Sequence, residues 1–185
     1  LGGIVFLVRY FGVLRRGDDG LHRAFADHMT RHGFRVISPL DANPDLAAAQ
    51  GCLTSVQPTA EQRAAFAGAL NLAKSHGESD EGQAVVVAGG KIVAREARAG
   101  TDAMLAALSP AQAKGAILVK AMKPNQLVSM DPPAIGESTV INAAKAGLAG
   151  ILVEAGRSVL VDEDRVRAKG DELGIFVYAD RIEAQ

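Results

Sequence analysis

The sequence predicts an α/β fold built on a mixed sheet with flanking helices. Three observations carry this. Short β-branched runs alternate with helical segments of about ten residues. Two tight turns, at Gly89-Gly90 and at residues 155–157, fold neighbouring runs back on each other. The 185 residues are 48% hydrophobic, enough to bury a sizeable core.

Composition narrows the function classes. Lys and Arg (20) nearly balance Asp and Glu (21), so no overall field recruits nucleic acid or an anionic membrane. The single Cys52 excludes an internal disulfide and a cysteine metal cluster, and it fits a reducing compartment. No apolar run approaches the roughly 20 residues that span a bilayer, and the expectation is a soluble protein. The chain starts at Leu1 and enters an apolar run at once, which points to a start inside a longer protein.

In chain order, residues 4–8 read as a strand, and 1–16 as a remnant of a preceding domain or a linker. The acids of Gly17-Asp18-Asp19-Gly20 cap a helix over 21–32 or hold a magnesium ion. Leu21, Phe25 and Met29 recur at helical spacing, and Gly33 is the stop. His28 and His32, four apart on one face, fit either a zinc pair or a solvated face. Residues 34–37 read as a short buried strand. The stretch from Ser38-Pro39 to Asn43-Pro44-Asp45 is a loop by its proline and Asn/Asp content, and the chain up to Cys52 a connector. Thr59-Ala-Glu-Gln62 matches a capping box opening a helix to about His76, stopped by Gly77.

The second half centres on 82–102. Runs at 84–88 and 92–94 flank Gly89-Gly90, which tolerates the positive φ angles of a hairpin turn. Glu96 follows, then Gly100-Thr101-Asp102 and an apolar helix over 103–108. Thr101 is expected to cap that helix, placing the Asp102 carboxylate in its first turn. Asp102 then serves as a simple helix start or as a metal ligand or proton acceptor at the end of a sheet. Residues 116–119 are a central-strand run ending at Lys120. The segment Lys120-Ala-Met-Lys123-Pro-Asn-Gln126 and the following Asp131-Pro-Pro stand where α/β sheets place ligand groups. They suit a diphosphate with a cation, or a solvated loop. A helix over 138–146 ends at Gly147, a strand over 150–154 is expected to pair with 158–161, and a helix over 162–173 leads to a last strand at 175–178. No GxxxxGK[ST], G-x-S-x-G or HExxH occurs, and Gly89-Gly90 lies between strands, which argues against a dinucleotide fingerprint.

The blocks GQAVVVAGGKIVAREARAGTDAML, LVKAMKPNQ, DPPAIGESTV and AAKAGLAGILVEAG, in this order and spacing, resemble a known family. It is the C-terminal domain of the bacterial UDP-2,3-diacylglucosamine pyrophosphatase that replaces the calcineurin-like enzyme in some Gram-negative species. The resemblance covers roughly residues 82–178, with a looser match over 17–36. It implies the second domain of a two-domain protein, with residues 17–185 as the C-terminal α/β catalytic domain. The implied reaction is magnesium-dependent hydrolysis of UDP-2,3-diacylglucosamine to UMP and 2,3-diacylglucosamine 1-phosphate, a step of lipid A synthesis.

Carried onto this sequence, the resemblance makes Asp102 the essential acid, through Mg²⁺ or the attacking water, with Thr101 beside it. Lys120, Lys123 and Gln126 would contact the diphosphate or frame the cleft, with Asp131 and Thr139 as further substrate contacts. Relatives carry an acid and an arginine where this chain has Leu127 and Ser129, so one basic contact is lost or moved. The expected partners are the acylated nucleotide-sugar, further copies of the chain as a homo-oligomer, and the cytoplasmic face of the inner membrane at its periphery, with no nucleic acid. The expected location is the cytoplasm. The competing class is a non-catalytic module that binds a nucleotide-sugar or lipid phosphate.

Overall fold

A computed structural model of the chain describes residues 17–79, 82–123 and 131–182, with side chains from residue 23 onward. The strand expected at 4–8, the segment 1–16, and Gln126, Leu127 and Ser129 therefore lie outside the described residues. Eight strands are described: β1 (Gly51–Cys52), β2 (Ala84–Ala88), β3 (Lys91–Arg95), β4 (Ile117–Lys120), β5 (Ala134–Ile135), β6 (Gly150–Glu154), β7 (Val159–Leu160) and β8 (Phe176–Asp180). Six of them form one mixed sheet in the order β1-β8-β6-β4-β2-β3. β4, β6 and β8 run parallel, while β2 is antiparallel to both β3 and β4, and β1 is antiparallel to β8. The expected mixed α/β sheet is the observed one.

The helices are α1 (Gly17–Arg31), α2 (Pro39–Ala42), α3 (Ala60–Ala64), α4 (Phe66–Gly77), α5 (Gly100–Ala106), α6 (Pro110–Ala113), α7 (Glu137–Lys145) and α8 (Glu163–Leu173). Strand alternation sends successive side chains to opposite faces, and the two faces are covered by different helices. Val85, Val87, Ile117, Val119, Leu152 and Phe176 pack under Phe66, Ala69, Leu70 and Ala73 of α4. On the opposite face, Ala84, Val86, Leu118, Ile151, Val153 and Val177 meet Met104 and Leu105 of α5, Val140 and Ala143 of α7, and Val166 of α8. Complete burial of such aliphatic side chains is worth about 1.5–3 kcal/mol each, so the sheet is the stable frame on which the loops at its edge are held.

The Gly89-Gly90 turn has φ of 54° and 73°, the values a tight hairpin between β2 and β3 requires. Thr59 forms the expected capping box with Gln62. The helix it opens is interrupted at Ala65, which divides it into α3 and α4.

Several expectations fail for identifiable reasons. Residues 34–37 are not a buried strand: Phe34 is 60% exposed and Ile37 46% exposed, and no described strand pairs with them. Their apolar character is not enough without a neighbour to supply hydrogen bonds. Ser38 starts α2, with its side chain and Asp41 forming a capping box. Part of the expected connector is β1, paired with β8. Residues 158–161 do not fold back on β6. Val159–Leu160 instead pairs in parallel with Ala134–Ile135, and β6 is flanked by β4 and β8, leaving no free edge for a hairpin partner. The helix α1 begins at Gly17, so Asp18 and Asp19 stand inside its first turn and not ahead of it.

Candidate active site at the carboxyl edge of the sheet

Because β4, β6 and β8 are parallel, their C-terminal ends share one edge of the sheet, the edge where open α/β folds gather ligand groups. The antiparallel β2 brings its first residue to that same edge, and Ala84 pairs with Lys120. The Glu96 N–H donates to the Ala84 carbonyl at 3.0 Å, which extends the row by one residue. Glu96, Ala84 and Lys120 thus lie side by side, and the small Ala84 separates an acid from a base.

Lys120 is only 7% exposed, and its Nζ donates to the Ala134 carbonyl at 3.1 Å. Burial pushes its ammonium below the usual lysine range, and the fields of Glu96, Asp131 and Asp102 partly offset that push. The fields of three acids from separate segments of the chain thus reach one buried cation. Of the residues expected at one site, Asp102 and Asp131 act on Lys120 through their fields.

Glu96 is the member of this group that sequence reasoning did not select. Its Oε2 accepts the backbone N–H groups of Gln83 at 2.7 Å and Ala84 at 3.0 Å, and Oε1 accepts the Thr101 hydroxyl at 2.6 Å. Its carbonyl accepts from His76 Nε2 at 2.9 Å. Gly82 is required here by close approach, since a Cβ at that position would stand 2.7 Å from Glu96 Cβ. The available signal was a carboxylate directly after an apolar hairpin strand. Glu154, the last residue of β6, is a second buried acid passed over; it accepts the Met122 N–H at 3.0 Å and faces Arg157 at 3.7 Å.

Thr101 does not cap α5. The N-cap position is Ala99, without a side-chain cap bond, and Thr101 lies inside the helix with its hydroxyl turned to Glu96. The carboxylate offers a stronger, charge-assisted bond than an amide at the helix start. Asp102 is in the first turn as expected, solvent-facing, and its Oδ1 accepts from Asn142 Nδ2 of α7 at 2.9 Å. Thr139 shares the Asn142 face of α7, three residues earlier. Its Oγ1 is 3.5 Å from the Gly136 N–H, the distance of a weak cap. Lys123 is 7% exposed, and its backbone and the base of its side chain lie against Gly77 at the C-terminal end of α4.

From Asp102 and Asn142 a cavity of about 830 Å³ runs between α5, α6 and α7 over Leu105, Leu108, Ala113 and Ala146. Among the described residues no three His, Cys, Asp or Glu side chains converge as a metal cage, and His28 and His32 have no third ligand. Magnesium does not need such a cage, because one or two carboxylates with substrate phosphates and water suffice. Asp102, open to solvent with one oxygen fixed by Asn142, fits that donor set. No helix among the described residues is long and apolar enough to cross a membrane.

Comparison with known proteins places these features in context. The model of the LpxI C-terminal domain matches residues 49–178. The UDP-2,3-diacylglucosamine pyrophosphatase LpxI of Caulobacter vibrioides is 38% identical over 183 residues, which cover 95% of this chain. The chain spans 65% of that relative's length.

Proposed function

The chain belongs to the LpxI C-terminal domain family, and on that premise we propose that it carries the hydrolytic site of a UDP-2,3-diacylglucosamine pyrophosphatase of lipid A biosynthesis. The observation that carries the reading is Lys120, buried at the carboxyl edge of the sheet with its Nζ on the Ala134 carbonyl and with Ala84 between it and Glu96. The name of the Caulobacter relative supports the substrate. In this reading a water oxygen bonds to the phosphorus next to the acylated sugar while the bridging P–O bond breaks. UMP departs with the bridging oxygen, and Asp102 accepts the proton of the attacking water. Lys120 stabilises charge on the phosphate oxygens from a dry, preorganised position, where it is worth more than in water. Lys123, Gln126, Asp131 and Thr139 are proposed as further substrate contacts.

Magnesium, when bound, would neutralise diphosphate charge, and Asp102 is the residue proposed to hold it. The protein is proposed to work in the cytoplasm as a homo-oligomer, touching the inner membrane peripherally where its acylated substrate resides. The test is UMP release from UDP-2,3-diacylglucosamine by the purified full-length protein, with and without magnesium. Binding of the nucleotide-sugar without release of UMP would instead make the domain a binding module. Release unaffected by chelation would remove the metal from the proposal.

A further inference from the structure

We infer that Glu96 is a positioning residue that fixes the proton of Thr101, so that the Thr101 oxygen, next to Asp102 in the first turn of α5, meets substrate or water only as a hydrogen-bond acceptor. The inference rests on the pyrophosphatase reading above. Every polar atom of Glu96 is committed: its N–H to Ala84, its carbonyl to His76, Oε2 to two backbone N–H groups and Oε1 to Thr101. The residue cannot turn, and its carboxylate can only accept. The Thr101 hydroxyl must therefore point its single proton at Glu96, which leaves its lone pairs for whatever lies beside Asp102.

Helix stability does not explain this bond. Neither Glu96 nor Thr101 caps α5 with its side chain, so the 2.6 Å contact satisfies no helix-terminal N–H. What it does set is polarity. A water between Thr101 and Asp102 would give one proton to each oxygen and turn a lone pair outward, the orientation needed to attack phosphorus. A freely rotating threonine would sometimes donate to that water and occupy the same lone pair.

The test uses the full-length protein and three variants: Thr101→Val, Glu96→Gln and the double variant. Thr101→Val leaves both backbone bonds to Glu96 Oε2 intact, so it reports even if the buried Glu96 substitution impairs folding. Glu96→Gln keeps an oxygen for Gln83 and Ala84, but its amide donates to Thr101 and reverses the bond. The expected result is a kcat lowered about tenfold in each single variant with KM within about threefold. The double variant should be no slower than the slower single, because both changes act through one hydroxyl. Wild-type kcat in Glu96→Gln would show a packing role only and overturn the inference, as would a double variant as slow as the product of the singles. A folded wild-type protein that releases no UMP would overturn the functional reading and this inference with it, whereas an active wild type with unaffected variants would overturn this inference alone.

Discussion

Asn142 Nδ2 donates to Asp102 Oδ1 at 2.9 Å, a bond that ties the first turn of α5 to the middle of α7. The acid is open to solvent on one side and oriented on the other. A carboxylate held this way can meet a cation or a water proton without first losing rotational freedom.

Asp102→Asn should leave the fold nearly unchanged and remove most of the activity. The amide oxygen still accepts from Asn142, but the charge that a hard cation or a water proton requires is gone. Positioned acid–base groups are worth roughly a hundredfold or more, so steady-state turnover of the full-length variant should fall by at least that factor. Retention of more than about a tenth of wild-type turnover, with an unchanged melting temperature, would exclude Asp102 from this role.

In the proposed reading Lys120 gives up stability for its place in the site, which Lys120→Met would expose. Burial holds its folded-state pKa below the unfolded value, so the unfolded chain binds the proton more tightly. The burial penalty is complete below the folded pKa and is relieved as pH rises from there towards 10.5. The Met variant should therefore melt no lower than wild type at neutral pH, with its advantage shrinking as the solution becomes alkaline, while hydrolysis is lost. Thermal melts of both proteins across the alkaline range decide the matter; a Met variant that loses stability at neutral pH contradicts it.

Away from the site, the Thr59–Gln62 capping box offers a stability test. Thr59 Oγ1 accepts the Gln62 N–H at 3.1 Å, and Gln62 Oε1 accepts the Thr59 N–H at 2.8 Å. Thr59→Ala should cost about 1 kcal/mol, read as a lower denaturant midpoint at unchanged slope. An unchanged midpoint would mean that α3 frays in the native protein and contributes nothing to it.

What could be read in the sequence was local. The Gly89-Gly90 turn, the Thr59 box and the apolar run ending at Lys120 each depend on a few adjacent residues, and each is observed. What could not be read was pairing at a distance. Val159–Leu160 is too short for periodicity to act on, and its partner Ala134–Ile135 follows two prolines. Phe34 and Ile37 have strand-like chemistry but no neighbouring strand. The site shows the same division. Asp102 and Lys120 stand at strand and helix ends that the pattern marks. Glu96 matters because Ala84 pairs with Lys120 on one side and bonds to Glu96 on the other, and that register is a property of the assembled sheet. Thr101 looked like a cap because the sequence did not reveal a buried carboxylate within reach.

The final prediction concerns which phosphorus the water attacks. UDP-2,3-diacylglucosamine has two phosphates, and breaking its anhydride gives the same two products whichever is attacked, so product identity alone does not locate the chemistry. Oxygen origin does. If water adds to the phosphorus next to the sugar, hydrolysis in ¹⁸O-water places the label in 2,3-diacylglucosamine 1-phosphate, and UMP leaves with the original bridging oxygen. This geometry suits the site as proposed, because the cavity beginning at Asp102 and Asn142 is lined by Leu105, Leu108 and Ala113 together with Lys114 and Lys145, apolar contacts for an acyl chain beside cations for a sugar phosphate. Mass spectrometry of the two products after one turnover should find the heavy oxygen on the sugar phosphate. Label in UMP would put the attacking water at the nucleotide's phosphorus, the outcome of calcineurin-like chemistry, and Asp102 could not then stand beside the acyl chains as argued.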